Sequence, residues 1–260
     1  GVEVSTVSQQ FSQGTINITG NNLDCAINGG GFFELTLPDG SSAYTRDGQF
    51  KLDSKGNLIT NSGASVMGYA ITNGVPSSTP TKMSVPSGAP IAAKATTTIN
   101  ASFNLDARAT TYDPLTNTPP GTTYGTTLNA FDSQGVTVPV KLFFTKNTAA
   151  NTWDVWDNDP NPTAVPAATN LGQLVFDTTG ILTSPAPATL PMTLTPSNAG
   201  AATPMTVSLN VSGATQYGTS FAISDLTQDG YTAGTLTGIS ISEQGIITTR
   251  YSNGQTQTNG

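Results

Sequence analysis

No histidine occurs in the 260 residues, and only one cysteine, Cys25. The first absence removes a Ser-His-Asp triad, a Cys-His pair and every histidine-ligated metal site. It also removes the usual charge switch between pH 5 and 8. The second excludes an internal disulfide, and Cys25, in "LDCAI", reads as a small core residue rather than a reactive thiol. Charge is scarce as well: 10% of residues carry it, against about a quarter in ordinary domains. The net charge of −7 offers no basic footprint for nucleic acid or an anionic membrane surface. No apolar run approaches the length of about 18 residues that reads as a membrane-spanning helix, and none reads as a signal peptide. "GGGFF" at 29–33 lacks the spacing of a phosphate-binding loop. No cofactor and no metal are expected.

Uncharged polar residues fill the space that charge leaves. There are 44 Thr, 23 Ser and 20 Asn, with 27 Gly and 17 Pro. Threonine favours strands, while asparagine and serine favour turns. Apolar residues alternate in "TINASFNLD" (Ile99, Ala101, Phe103, Leu105), in "VTVPVKLFF" (Val136, Val138, Val140, Leu142, Phe144) and in "MTVSLNV" (Met205, Val207, Leu209, Val211). A period of two gives a strand one buried and one wet face. Pro139 predicts an edge or a bulge in the second of these strands. "IAAKATTT" at 91–98 is the nearest approach to a helix, weakened by its threonines. The fold class predicted is all-β.

Sixteen of the 17 prolines lie between Pro76 and Pro204, and both tryptophans lie in the same middle. A middle unlike both ends predicts two β-domains, the second inserted into the first. Residues 73–90 read as an extended Pro/Ser connection. The boundaries expected are 1–94 with 217–260 for the first domain and 95–216 for the insertion. The strand-like "VEVSTV" at the start and the abrupt end after "YSNGQTQTNG" read as those of an excised fragment.

A D-x-x-G phrase recurs at Asp53–Gly56, Asp132–Gly135 and Asp177–Gly180, and loosely as "SEQG" at 242–245. Each copy sits between apolar runs. An Asp that accepts backbone N–H bonds, followed by a Gly at positive φ, makes a hairpin turn. A calcium loop needs more converging oxygens. The densest acidic cluster is "WDVWDNDP", where Asp154, Asp157 and Asp159 lie beside Trp153 and Trp156. It invites comparison with a sugar site or a two-carboxylate glycosidase. In a regular strand, however, the two tryptophans point to opposite faces, and Asp-Asn-Asp-Pro is turn chemistry.

Two stretches, 21–69 and 230–260, resemble the rod and hook family of bacterial flagellar axial proteins. The residues that carry the resemblance are Leu23, Asp24, Gly29, Gly31, Phe32 and Phe33, then Tyr44, Arg46, Gly48, Phe50, Asp53 and Gly56. Tyr231, Gly234, Gly245, Tyr251, Ser252, Asn253 and Gly254 close the pattern. Cys25 departs from it, standing where an aliphatic residue is usual. The inserted domain resembles the hook branch. The resemblance implies a structural subunit that is not an enzyme. It implies a curved extracellular tube, a universal joint that passes torque from motor to filament. Its partners would be copies of itself, joined through terminal helices that this chain lacks, and the distal rod, hook cap and hook–filament junction proteins. The first domain would be the inner, tube-forming one and the insertion the outer one, exported without a cleaved signal. A carbohydrate-binding or adhesin-type β-domain is the alternative.

Overall fold

The computed structural model describes residues 13–72, 74–86, 90–112, 121–161 and 166–260. The "VEVSTV" run and Glu3 lie outside the described residues, as do positions 73 and 87–89 of the expected connection. Strands and turns make up the regular structure, and no helix occurs among the described residues. The chain divides into two compact units: the residues up to Ile91 with Gly234–Gly260, and Ala92–Ala233.

The first unit opens with β1 (Phe33–Thr36), β2 (Ser42–Thr45), β3 (Phe50–Leu52), β4 (Leu58–Thr60) and β5 (Ser65–Gly68), followed by the short β6 (Ile71–Thr72), β7 (Val75–Pro76) and β8 (Thr81–Lys82). The main sheet runs β2-β1-β5-β4-β3, and β8 also pairs with β5. The connection expected to be a plain extended linker is therefore partly built into this unit. Met83 and Val85 are buried in its core with Leu35, Phe50, Leu58 and Val66. Apolar residues at 83 and 85, amid the prolines, supply the reason.

The second unit holds β9 (Thr98–Asp106), β10 (Thr123–Phe131), β11 (Thr137–Lys146), β12 (Thr152–Trp156), β13 (Asn170–Phe176), β14 (Leu182–Ser184), β15 (Thr189–Leu194), β16 (Met205–Asn210), β17 (Thr215–Tyr217) and β18 (Ala222–Gln228). One sheet has the order β10-β11-β12-β13-β14, the other β15-β16-β9-β17, with β18 on the free side of β9. One core joins the two sheets. Ile99, Phe103 and Leu105 of β9 meet Val140, Leu142 and Phe144 of β11, with the rings of Phe103 and Phe144 4.5 Å apart. Burial alternates strictly along β9, as its sequence period requires.

β19 (Leu236–Ile241), β20 (Ile247–Tyr251) and β21 (Thr256–Thr258) form a three-stranded sheet. It returns to the first unit, where Ile247 is buried and Leu236, Ile239 and Ile241 pack against that core.

One expectation needs correction. The return crossing is not near Tyr217: β18 pairs with β9 from Ala222 to Gln228, so the chain leaves the second unit only at 233/234. Little in "AISDLTQ" announces a strand, because an edge strand with one partner needs no strong apolar alternation. Of the two outcomes expected at Pro139, the structure shows the edge and not the bulge: β10 and β11 stay in register over their whole pairing. The proline is tolerated because β12 pairs only with Phe143–Lys146. At Pro139 the strand is locally an edge, and its missing N–H faces the side without a partner.

Candidate functional site

The recurrent turn has one chemistry at every copy. Asp53 Oδ1 accepts the N–H of Lys55 and of Asn57, both at 2.8 Å. Asp132 Oδ1 accepts those of Gln134 (2.8 Å) and Val136 (2.9 Å). Asp177 Oδ1 accepts those of Thr179 (2.8 Å) and Ile181 (3.0 Å). At 242–245 the Ser242 hydroxyl accepts the N–H of Gln244 and Ile246 at 3.3 and 3.2 Å. Gly56, Gly135, Gly180 and Gly245 have φ of 84, 80, 87 and 78°, in the left-handed region that suits glycine. The acid spends its oxygen on its own turn. At Asp53 the Asn57 amide and backbone bonds hold the carboxyl below its ordinary range, and at Asp177 the Ile181 N–H and Thr179 hydroxyl do so. At Asp132 burial pushes upward, but the Val136 and Gln134 N–H groups outweigh it and the net shift is downward.

The family-motif positions of the first unit brace its backbone. Arg46 donates from Nε to the carbonyl of Gly31 at 3.1 Å and from a terminal nitrogen to that of Gly29 at 3.0 Å. Its guanidinium also lies 5.3 Å from the centre of the Phe32 ring. Phe33 meets Phe50 edge-to-face at 5.0 Å. Leu23 packs on the core, and Tyr44 is exposed. Asp24 accepts from Thr19 Oγ1 at 2.7 Å and Asn21 Nδ2 at 2.8 Å. The Cys25 N–H donates to the Gly48 carbonyl at 2.9 Å, and a Cβ on Gly48 would lie 1.7 Å from the Cys25 oxygen. Burial, then the Asp24 charge, pushes the Cys25 thiol up, the reverse of what a nucleophile needs.

Near the end of the chain Gly234 accepts from the Ile91 N–H at 2.8 Å and packs against Asn253. Tyr251 is buried, Ser252 donates its N–H to Thr235 O at 2.8 Å, and Gly254 turns the chain at φ 80°. These positions lie together in the first unit. Tyr231 does not: it is in the second, exchanging backbone hydrogen bonds with Lys94 at 2.9 Å.

The tryptophan–aspartate cluster is not a binding platform. Trp153 is fully buried, and its Nε1 donates to Gln216 Oε1 at 2.7 Å. Trp156 donates to Thr145 Oγ1 at 2.9 Å. Asp154 is buried and accepts three side-chain amides, from Asn147 (2.6 Å), Asn170 (3.2 Å) and Gln173 (2.9 Å). Asp157 accepts the Thr169 N–H, and Asp159 that of Asn161.

A constellation that sequence reading missed sits where the chain enters and leaves the second unit. Asp229 Oδ1 accepts the N–H of Thr97 (2.8 Å) and Thr98 (2.9 Å), while Oδ2 accepts the Thr97 hydroxyl (2.7 Å) and pairs with Lys94 Nζ (2.9 Å). Burial opposes the charge, yet these bonds outweigh it and hold the carboxyl far below its usual range. Beside it Thr96 donates to Gln228 and exchanges bonds with the backbone of Phe131. No local pattern signals this role, because Thr97 and Thr98 lie 132 and 131 positions away from Asp229.

Turns that satisfy themselves and glycines fixed by close backbone contact define a structural β-module. Comparison makes this specific. Residues 26–108 match the family model for the flagellar hook protein FlgE/F/G D1 domain, and residues 104–231 that for the flagellar basal body protein FlaE D2 domain. The chain is 36% identical to the flagellar hook protein FlgE of Escherichia coli (strain K12) over 99% of its own length and 64% of that protein's. It is 33% identical to that of Salmonella typhimurium (strain LT2), over 100% and 65%. The basal-body rod protein FlgG of Buchnera aphidicola (subsp. Schizaphis graminum) is 52% identical over only 24% of each chain. A crystal structure of Helicobacter pylori flagellar hook protein FlgE2 shares the fold, with a TM-score of 0.61 over 91% of this chain and 87% of that one at 14% identity. The chain belongs to the flagellar hook protein family. It spans about two thirds of the length of the hook relatives it matches, 64–65%.

Proposed function

We infer that this chain is the β-domain portion of a flagellar hook subunit, working in a curved extracellular tube that couples motor to filament. The observation that carries the reading is coverage. The hook relatives align across both units, insertion included, whereas the rod relative aligns over a quarter of the chain. The partners are further copies of the subunit, and at the tube's ends the distal rod, the hook cap and the hook–filament junction proteins.

The surface chemistry suits a bending joint. Two ion pairs occur among the described residues, Lys94–Asp229 and Arg108–Asp106, both inside one unit. Exposed threonine, serine and asparagine make weak, water-exchangeable contacts, which slide at little cost. Fixed interfacial ion pairs would resist such sliding. The sugar-binding alternative finds no support in the buried Trp153.

The complete gene, expressed in hook-null cells, is expected to restore hooks and motility. Cells that remain hookless while exporting the protein would refute the reading.

A further inference from the structure

We propose that the free edge of β10 is a strand-pairing site for a second copy of this chain, which docks antiparallel across a two-fold axis between Gly125 and Thr127.

The direction of the backbone groups follows from the hairpin. Asp132 donates its N–H to Val136, and β10 and β11 then pair in unbroken register from Phe131↔Thr137 to Thr123↔Thr145. In an antiparallel ladder alternate residues bond inward. Phe131 shows which set faces outward, because its N–H and C=O are taken by Thr96 on the side away from β11. Thr123, Gly125, Thr127 and Asn129 share that parity, and all four are exposed. Among the described residues no hydrogen bond reaches the outward groups of Gly125, Thr127 and Asn129.

Native sheets blunt such edges, and the other edges of this unit are blunted. β14 is three residues long and is followed by Pro185, and β17 is equally short. β15 contains Pro191. β18 contains Asp225, with a register break between Ile223 and Asp225. β10 has nine residues, "TYGTTLNAF", with no proline, no charge and no break.

The chemistry selects a second copy as the occupant. With the axis between Gly125 and Thr127, Gly125 faces Thr127 of the second copy and Thr123 faces its Asn129. Each facing pair exchanges two hydrogen bonds. Nothing charged opposes itself, which matters for a chain of net charge −7. On the inner face the same register brings Tyr124 opposite Leu128 of the second copy. Both residues are half-buried and already pack on the sandwich core, Tyr124 with its ring 4.6 Å from that of Phe221. The pairing therefore extends an existing core across the axis. A Cβ on Gly125 would lie 2.8 Å from the ring of Phe143, its cross-strand partner.

A two-fold contact is isologous, whereas a polar tube is built from head-to-tail contacts. The site thus acts between copies outside a shared tube, independently of the hook reading. Four facing residues give a weak contact, with a dissociation constant on the order of 0.1–1 mM.

The test is an amide NMR titration of the 260-residue chain from about 20 µM to 1 mM, a range that brackets this affinity. Amides of Gly125, Thr127 and Asn129 are expected to shift with concentration, while translational diffusion slows towards the dimer value. Thr127→Pro removes an outward donor. Thr127→Glu places two carboxylates diagonally across the axis while facing Lys141 within its own chain. Both variants are expected to abolish the shifts, and Thr127→Glu to keep the wild-type melt. Absence of concentration dependence, shifts confined to other surfaces, or shifts that persist in Thr127→Glu would each overturn the proposal and leave the tube reading intact.

Discussion

The Asp229 carboxylate and the Thr98 backbone N–H are hydrogen-bonded at 2.9 Å, although 131 positions separate them in the chain. With Thr97 and Lys94, this bond fastens the departing segment to the entering one at the base of the second unit. Residues 92–233, which include it, are therefore expected to fold alone, with a dispersed NMR spectrum and a cooperative melt. Residues 95–216, which lack β18 and the clasp, are expected to give a collapsed spectrum. A cooperative melt from the shorter piece would contradict the role given to β18.

Acid should loosen the same clasp. Asp229 binds its proton more weakly folded than unfolded, so its contribution is complete above about pH 5 and is lost progressively as pH falls below the ordinary carboxylate range towards the lowered folded value. Asp106, held at about 2 mainly by the Arg108 side chain, adds to the same trend. With no histidine, the melting temperature should stay flat from about pH 8 to 5 and fall below about pH 4. Asp229→Asn should lower stability at pH 7 and flatten the acid limb. An acid limb unchanged in that variant would remove Asp229 from the account.

Gly135 and Gly245 share a turn conformation but not a neighbourhood. A Cβ on Gly135 would lie 2.8 Å from Ala93 Cβ and 2.9 Å from Thr232 Cα, whereas Gly245 has open space. Gly245→Val should cost about 1–2 kcal/mol from backbone strain alone, and Gly135→Val about 1–3 kcal/mol more from overpacking. Urea melts of the two variants measure the difference; equal costs would mean that the Gly135 turn does not pack where described.

Gln216 satisfies the buried indole of Trp153 and also donates to Asn151 Oδ1 at 3.0 Å. Gln216→Leu should cost about 1–3 kcal/mol, because the indole N–H stays buried without its acceptor. A red-neutral change, with stability and tryptophan emission both as in the wild type, would show that the indole is not sealed as described.

Local patterns made part of this legible in the sequence. Ile99, Ala101, Phe103 and Leu105 announce β9, because burial on a sheet face alternates with the side chains. Asp132 and Gly135 announce their turn, because its bonds close within five residues. What stayed hidden depends on partners far along the chain. β18 is a strand because β9 offers it an edge, and Asp229 is structural because Thr97 and Thr98 lie beneath it. Trp153 was readable as one face of a strand, but its seal by Gln216, 63 residues on, was not.

Electron microscopy of the complete parent protein tests the central claim most directly. The 260-residue chain alone should sediment as a monomer at micromolar concentration, since weak polar interfaces need added valency to hold. The complete protein, purified and induced to polymerise, should form curved hollow tubes. A complete protein that yields only monomers or closed oligomers under those conditions would contradict the account.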